Sequence, residues 1–172
     1  MKAGVPRVAL HALLDGRDTL PRSGLEFMRQ TVGRLRGRVQ VATLGGRYYG
    51  MDRDKRWPRT ELWYRAMVRG EGARATDPVD AIREAYDRGE SDEFIKPVVI
   101  DRGGQPVATV RDGDGLFLFN FRADRARAAN GREFTRLEDA QKPRLRLHWH
   151  VPDFVQKQGA ALCLLETAGG TL

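Results

Sequence analysis

Short apolar runs alternate along this chain with amphipathic segments, and the alternation restricts the folds that the chain can adopt. Residues 8–14 are the first apolar run and predict a buried strand. His11 within it is interpreted as a core histidine with satisfied hydrogen bonds or as one that supports a neighbouring site residue. Ser23, followed by Glu26, is typical of a capping box and predicts the start of a helix. The apolar face of that helix comprises Leu25, Met28, Val32 and Leu35. A second strand is predicted at residues 39–44.

Later segments continue the same pattern. A helix is predicted from about residue 58 to 68, and Asp77 followed by Pro78 predicts the N-cap and first position of another. Residues 116–121 form the most strongly apolar predicted strand, and a helix is predicted to follow at residues 122–129. Strands that alternate with helices favour an α/β fold with a mainly parallel sheet flanked by helices.

The chain is long enough for one domain. Its 172 residues match the usual domain size, and residues 1–150 are assigned to an incomplete single domain of the α/β class. Residues 151–172 show no sustained apolar period. This segment is therefore predicted to be a divergent tail, loosely attached or disordered, whose removal costs little stability.

The distribution of apolar residues and the single cysteine argue against a membrane protein and against a secreted protein. No apolar run approaches the roughly 20 residues that span a bilayer, so a membrane protein is not expected. The first apolar run leads directly into Asp15 with no small-residue cleavage site, so no signal peptide is predicted. Cys163 is the only cysteine, which fits a reducing compartment. We expect a cytoplasmic protein.

The charge balance points to an anionic ligand of some kind. The chain has 30 basic and 23 acidic residues, a net charge of +7, and only five of the basic residues are lysine. Genome base composition can favour arginine and is the plainest explanation. Two functional interpretations compete with it, namely a basic nucleic-acid-binding surface and a pocket for a small phosphorylated or carboxylated ligand.

Polar turns that contain arginine follow three of the predicted strands. These turns are residues 15–18, 45–54 and 122–125. Parallel strands place their carboxyl ends at one edge of a sheet, where ligands of α/β proteins bind. Arginine can hold a phosphate or carboxylate with two hydrogen bonds. Aspartates lie among these arginines, and they suit a ligand with hydroxyl groups better than a nucleic-acid backbone.

A simpler alternative remains open for the same turns. Arg17, Arg47 and Arg122 can each pair with a nearby aspartate and have no ligand at all. For any single turn this ion-pair interpretation is favoured. The common position of all three turns at one sheet edge favours an anion site.

Four long motifs resemble those of the cofactor-independent phosphoglycerate mutases, which need no 2,3-bisphosphoglycerate. Residues 11–19 read His-Ala-Leu-Leu-Asp-Gly-Arg-Asp-Thr, and residues 46–57 read Gly-Arg-Tyr-Tyr-Gly-Met-Asp-Arg-Asp-Lys-Arg-Trp. Residues 92–97 read Asp-Glu-Phe-Ile-Lys-Pro, and residues 119–127 read Phe-Asn-Phe-Arg-Ala-Asp-Arg-Ala-Arg. The motifs follow in the family's order and cover roughly residues 8–130.

The resemblance implies an isomerase that interconverts 3-phosphoglycerate and 2-phosphoglycerate in glycolysis and gluconeogenesis. Members of the family have two α/β domains. One resembles alkaline phosphatase and carries a nucleophilic serine and two divalent metal ions, usually manganese. The other, the phosphotransferase domain, holds the glycerate part while the phosphate moves to the serine and back to the 2-hydroxyl.

The resemblance also implies which residues bind the substrate. Arginines at five positions would bind its phosphate or carboxylate oxygens: Arg17, Arg47, Arg53, Arg122 and Arg125. Asp18 would accept a hydrogen bond from a substrate hydroxyl. No catalytic residue and no metal ligand is assigned to this chain.

The match covers part of the phosphotransferase domain only. The phosphatase domain, its serine and its manganese ligands are expected to lie outside this chain, with another chain as one possible source. The chain alone is therefore expected to bind no metal, nucleic acid or membrane and to be inactive. Leu20 and Gly50 are mild departures from the family's proline and alanine. The remaining alternatives are a nucleic-acid-binding module and a non-functional remnant, truncated or frame-shifted.

Overall fold

The fold is that of a computed structural model, which describes residues 7–35, 37–118 and 162–167. Its strands are β1 (Arg7–Leu14), β2 (Gln40–Gly46), β3 (Ala73–Ala75), β4 (Val98–Arg102), β5 (Gln105–Pro106), β6 (Asp114–Leu118) and β7 (Leu162–Thr167). Its helices are α1 (Gly24–Leu35), α2 (Arg47–Gly50), α3 (Trp57–Arg69) and α4 (Pro78–Asp87), with a turn of 3-10 helix at Asp92–Phe94.

The strands form one mixed sheet in the order β3-β4-β2-β1-β7-β6, and β5 pairs with β4. The α/β class and the flanking helices are confirmed, but the prediction of a mainly parallel sheet is wrong. Among the described strands, the β1–β2 and β3–β4 pairs are parallel, whereas the β2–β4, β4–β5, β1–β7 and β6–β7 pairs are antiparallel. The parallel pairs are those whose strands are joined through a crossover helix, α1 or α4, as parallel neighbours require.

The first strand is buried on both faces, as predicted from its apolar run. Side chains on one face pack in a cluster with α1 and α4, which includes Leu10, Ala12, Leu14, Met28, Ile82 and Ala85. Side chains on the other face pack with α3, in a cluster that includes Ala9, Leu13, Trp63 and Met67. The end of β1 is therefore held rigidly between two layers of helices.

The two predicted helix caps have different outcomes. Asp77 caps α4 as predicted, because its carboxylate accepts hydrogen bonds from two backbone N–H groups of the first turn at 2.8 and 3.1 Å. The predicted role of Ser23 is wrong, because its hydroxyl donates to the carbonyl of Leu20 at 2.8 Å. The first N–H of α1, at Gly24, instead donates to Asp92 at 2.7 Å. This cap comes from the other side of the molecule and leaves no local sequence pattern.

The segment predicted to be a loose tail contains a strand. β7 lies between β1 and β6, with Ala9 paired to Leu165 on one side and Leu116 paired to Leu165 on the other. A strand in the interior of the sheet differs from the loosely attached tail predicted for residues 151–172. Apolar periodicity did not indicate this strand, because a short strand needs no sustained apolar repeat. The assignment of residues 1–150 as one domain stays a prediction.

Other predictions concern the rest of the chain. The helix predicted at residues 122–129 and the end of the strand at residues 119–121 lie outside the described residues. In the described part, no helix has both the length and the apolar character needed to cross a bilayer.

Removing β7 is expected to destabilise the protein. A chain that ends at Ala160 loses a strand paired along its length with β1 and β6. At about 1 kcal/mol for each hydrogen bond, we expect a loss of at least about 3 kcal/mol. Urea denaturation measures it, with a chain that ends at Gly169 as the control because it keeps β7. Equal stability of the two truncated chains would return residues 151–172 to the role of a dispensable tail.

His11 is fully buried in β1 and makes only part of its possible hydrogen bonds. Its Nδ1 lies 2.7 Å from the hydroxyl oxygen of Thr43 on β2. Among the described residues, its Nε2 has no hydrogen-bond partner. Burial lowers the pKa of His11 to about 3, so the ring is neutral at pH 7. The predicted core position is confirmed, but the expectation of satisfied hydrogen bonds fails for Nε2.

The lowered pKa of His11 predicts a pH-dependent loss of stability. Between the ordinary pKa of 6.5 and the folded value of about 3, the unfolded chain binds a proton that the folded chain does not. The contribution of His11 is therefore complete above pH 6.5 and declines by up to about 1.4 kcal/mol for each pH unit below it. Denaturation of the wild type and His11→Leu at about pH 7.5 and about pH 4.5 isolates this contribution. Their stability difference should change toward acid pH, and a constant difference would contradict the buried neutral ring.

Candidate functional site

The site lies at the edge of the sheet where β1 and β2 end. These strands are parallel, and the last residue of β1, Leu14, pairs with the last residue of β2, Gly46. Asp15 and Arg47, which follow directly, are therefore brought to the same edge. The common sheet edge predicted for the first two arginine-containing turns is present.

Arg47 is the best buried charged side chain at this edge. It is 5% exposed, and its Nη1 donates hydrogen bonds to Asp15 and, at 2.7 Å, to Asp18. The side chain of Asp15 is 12% exposed and that of Asp18 is 78% exposed. Arg47 therefore forms the ion pairs with aspartate that were predicted as the alternative to a ligand site. Both carboxylates bond to the same nitrogen, so they leave the Nε and Nη2 donors to other acceptors.

Electrostatics keep Arg47 charged. Burial alone lowers the pKa of its guanidinium, but hydrogen bonds and charge interactions with Asp18 and Asp15 outweigh burial and raise the pKa above its ordinary value. The side chain is therefore a permanent cation held at a fixed position. A fixed, partly desolvated cation binds an anion more strongly than a mobile surface arginine does.

The loop after β1 is shaped by its own polar side chains. The backbone N–H of Asp18 donates to the Asp15 carboxylate at 3.1 Å, and that of Gly16 donates to the Thr19 hydroxyl at 3.2 Å. Gly16 has a φ of +64°, in the left-handed region that favours glycine. This turn directs the exposed carboxylate of Asp18 back toward Arg47 and makes Asp15 both a turn former and an ion-pair partner.

The other predicted arginines have different positions. The side chain of Arg17 is 63% exposed, and its Nη1 lies 4.0 Å from the carboxylate of Glu93. Arg53 is exposed and has no ion pair with the described residues. The structure thus brings Arg47 and Asp18 into contact and leaves Arg17 exposed in the same loop as Asp18. Arg122 and Arg125 lie outside the described residues.

The loop that carries Arg53 has its own internal support. Asp52 is 8% exposed, and its carboxylate accepts a hydrogen bond at 2.8 Å from the backbone N–H of Arg56. Lys55, between them, has a φ of +59°. Non-glycine residues adopt this conformation only where the surroundings impose it. The loop therefore has a defined shape although its arginine is exposed.

Sequence reasoning missed two acidic residues of this site. Asp15 entered only as a partner in the ion-pair alternative, and Glu93 had no role. Both lie in motifs on which the family resemblance rests, at residues 11–19 and 92–97. The motifs therefore marked these positions, but nothing in the sequence indicated what the two side chains do. No group of three or more acidic, histidine or cysteine side chains in the described residues could hold a metal ion.

Comparison with known proteins identifies relatives. Residues 1–149 match the family model described as the BPG-independent PGAM N-terminus. The chain is 54% identical over 127 residues to a 2,3-bisphosphoglycerate-independent phosphoglycerate mutase of Nitratidesulfovibrio vulgaris, covering 73% of this chain and 25% of that protein. A mutase of the same name from Thermomicrobium roseum is 55% identical over 130 residues, with the same shares covered.

A solved structure agrees with these sequence matches. The fold is similar to a phosphoglycerate mutase of Leishmania mexicana, described in crystal structures at low cobalt concentration, with a TM-score of 0.70 and 30% identity. The match covers 85% of this chain and 28% of that chain. This chain spans about a quarter of the length of the curated relatives that it matches. It belongs to the N-terminal-domain family of the 2,3-bisphosphoglycerate-independent phosphoglycerate mutases.

Proposed function

We propose that this chain supplies the phosphoglycerate-binding part of a 2,3-bisphosphoglycerate-independent phosphoglycerate mutase. The observation that carries the proposal is the guanidinium of Arg47, held at the common end of β1 and β2 with donors that Asp15 and Asp18 do not occupy. The reaction is the interconversion of 3-phosphoglycerate and 2-phosphoglycerate. Its place in glycolysis and gluconeogenesis, and the cytoplasmic location predicted from the sequence, belong to the same proposal.

Each residue of the edge has a defined role in this function. Arg47 binds a phosphate or carboxylate oxygen through Nε and Nη2, while Asp15 and Asp18 hold Nη1 in place. Arg17, exposed in the loop after β1, adds a second cation. Asp18 accepts a hydrogen bond from a hydroxyl of the glycerate, which its exposed carboxylate can reach without leaving the loop. Arg53, Arg122 and Arg125 complete the arginine set by family resemblance.

The chemistry of phosphoryl transfer is assigned to protein outside this chain. In the family, a serine and two manganese ions supply it, and the described residues of this chain offer no metal site in their place. The present residues bind and orient glycerate while its phosphate leaves one hydroxyl and enters the other. The mixed charge of the edge, with carboxylates beside Arg17 and Arg47, favours this ligand over a nucleic acid.

Loss of Arg17 is expected to weaken binding of 3-phosphoglycerate. A hydrogen bond to a charged group contributes roughly 1.5–3 kcal/mol, so Arg17→Ala should lose about 10- to 100-fold in affinity. Calorimetric titration measures the affinity, and Arg83→Ala is the matched control because it removes another exposed, ion-paired arginine, paired with Asp80 on α4. Arg47→Ala is less suitable, since breaking a buried ion pair costs roughly 3 kcal/mol of stability.

Three results would contradict the binding role. Equal affinity of Arg17→Ala and wild type would leave Arg17 as the partner of Glu93 only. No binding by the wild type, together with tight binding to DNA that weakens steeply with salt, would favour the nucleic-acid alternative. No binding of either ligand would favour a remnant without function.

The chain by itself is expected to show no mutase turnover. The binding residues hold the substrate, but the nucleophile that forms the covalent intermediate is assigned to protein outside the chain. Conversion of 3-phosphoglycerate to 2-phosphoglycerate is followed with manganese present and purified chain in excess. Sustained turnover in proportion to the amount of chain would show that the assignment of the chemistry is wrong.

A further inference from the structure

The Asp92–Phe94 turn packs against the backbone of both loops that form the anion site. The N–H of Gly46 donates to the carbonyl of Ile95 at 2.8 Å. A Cβ atom added at Gly46 would overlap the carbonyl of Glu93, and one added at Gly16 would lie 2.7 Å from the backbone nitrogen of Glu93. Glycine is therefore required at both positions by the close approach of this turn.

Asp92 anchors the turn through hydrogen bonds to three other segments of the chain. Its side chain is buried, with the residue 1% exposed, and its carboxylate accepts hydrogen bonds from the N–H of Gly24 at 2.7 Å and from the hydroxyl of Tyr86. Its own N–H donates to the carbonyl of Pro21 at 2.8 Å. One residue thus connects the turn to the loop after β1, the start of α1 and the end of α4.

Tyr86 completes this network. Its hydroxyl donates to Asp92 and accepts from the N–H of Leu25 at 3.2 Å. Together Asp92 and Tyr86 satisfy the first two N–H groups of α1, which Ser23 leaves open. Burial, and then the hydrogen bond to Asp92, raises the pKa of Tyr86, so the hydroxyl stays a donor at neutral pH.

The carboxylate of Asp92 is held by hydrogen bonds, and no ion pair within the described residues involves it. Burial raises its pKa, and the hydrogen bonds from Tyr86, Gly24 and Ser23 oppose that rise. A buried carboxylate surrounded by directional donors fixes geometry more strictly than an exposed ion pair does. Burial among directional hydrogen-bond donors distinguishes Asp92 from its neighbour Glu93, whose carboxylate lies 4.0 Å from Nη1 of Arg17.

We propose that Asp92 is a positioning residue of the anion site: by anchoring the Asp92–Phe94 turn against Gly16 and Gly46, it sets the relative position of Arg17 and Arg47. It touches no ligand itself. Its effect passes through the backbone of the two glycines, each of which directly precedes one of the two arginines. Only the description of this edge as an anion site rests on the proposed function, since the packing is independent of any ligand.

Native-state hydrogen exchange on the whole chain tests the proposal without a ligand. The amide of Gly46 reports on the turn through its bond to Ile95, and the amide of Met67 in α3 reports on general stability. Asp92→Ala should speed exchange at Gly46 by about tenfold more than at Met67. The matched control, Asp77→Ala, also removes a carboxylate that caps a helix, and it should change both amides by the same factor.

Rescue by a conservative variant separates positioning from loss of stability. In Asp92→Asn the amide oxygen still accepts from Gly24 and the amide nitrogen can donate to Tyr86, so exchange at Gly46 should return most of the way to wild type. Should Asp92→Ala not fold, Tyr86→Phe is measured in the same way and should speed exchange at Gly46 selectively. Equal factors at Gly46 and Met67 in the measured variant, or no rescue by asparagine, would overturn the proposal.

A second readout concerns the ligand. Where the wild type binds 3-phosphoglycerate, Asp92→Ala should weaken that binding by about tenfold and Asp77→Ala should leave it within about twofold. Unchanged affinity in Asp92→Ala would also overturn the positioning role. Failure of the wild type to bind would count against the proposed function alone, because the exchange measurement tests the role of Asp92 without it.

Discussion

The buried guanidinium of Arg47 is the group on which the rest of the site depends. A cation that is 5% exposed is tolerated only where carboxylates meet it, and breaking such a pair costs several kcal/mol. Asp15 and Asp18 supply those carboxylates from a different strand end. The charge of one side chain thereby requires that β1 and β2 end side by side, and the parallel register of the two strands meets that requirement.

Close packing of a neighbouring turn explains why glycine stands before each of the two arginines. The loops that present Arg17 and Arg47 lie so close to the Asp92–Phe94 turn that Gly16 and Gly46 have no room for a side chain. Close backbone packing leaves the loops little freedom, and preorganised cations lose less entropy when they bind an anion. In the proposed function, packing and ligand binding are therefore linked through three short segments that are distant in sequence.

Much of this fold could be predicted from local patterns. The apolar run of β1, the helix at α3 and the Asp77 cap of α4 follow from residue types within a few positions of one another. The meeting of two arginine-containing turns followed from the rule that parallel strands end at one edge. The antiparallel pairs could not be predicted in this way, because the placement of β4 and β7 depends on partners far along the chain.

Long-range partners also explain what could not be predicted of the site. Gly24 and Asp92 are 68 residues apart, so no spacing rule relates the helix start to its cap. The choice of Arg47 over Arg17 as the buried cation likewise depends on Asp15 and Asp18 folding back across the sheet edge. Family resemblance placed the two arginines and Asp15, Asp18 and Asp92 in motifs, but only the geometry shows which arginine is buried and which residues hold it.

The most direct test of this account is a crystal structure of the chain with 3-phosphoglycerate bound. The account predicts a phosphate or carboxylate oxygen within hydrogen-bonding distance of Nε or Nη2 of Arg47, with Asp15 still bonded to Nη1 and a glycerate hydroxyl donating to Asp18. A ligand bound elsewhere on the chain, with Arg47 bonded only to its two aspartates, would contradict the claim that this sheet edge is the phosphoglycerate site.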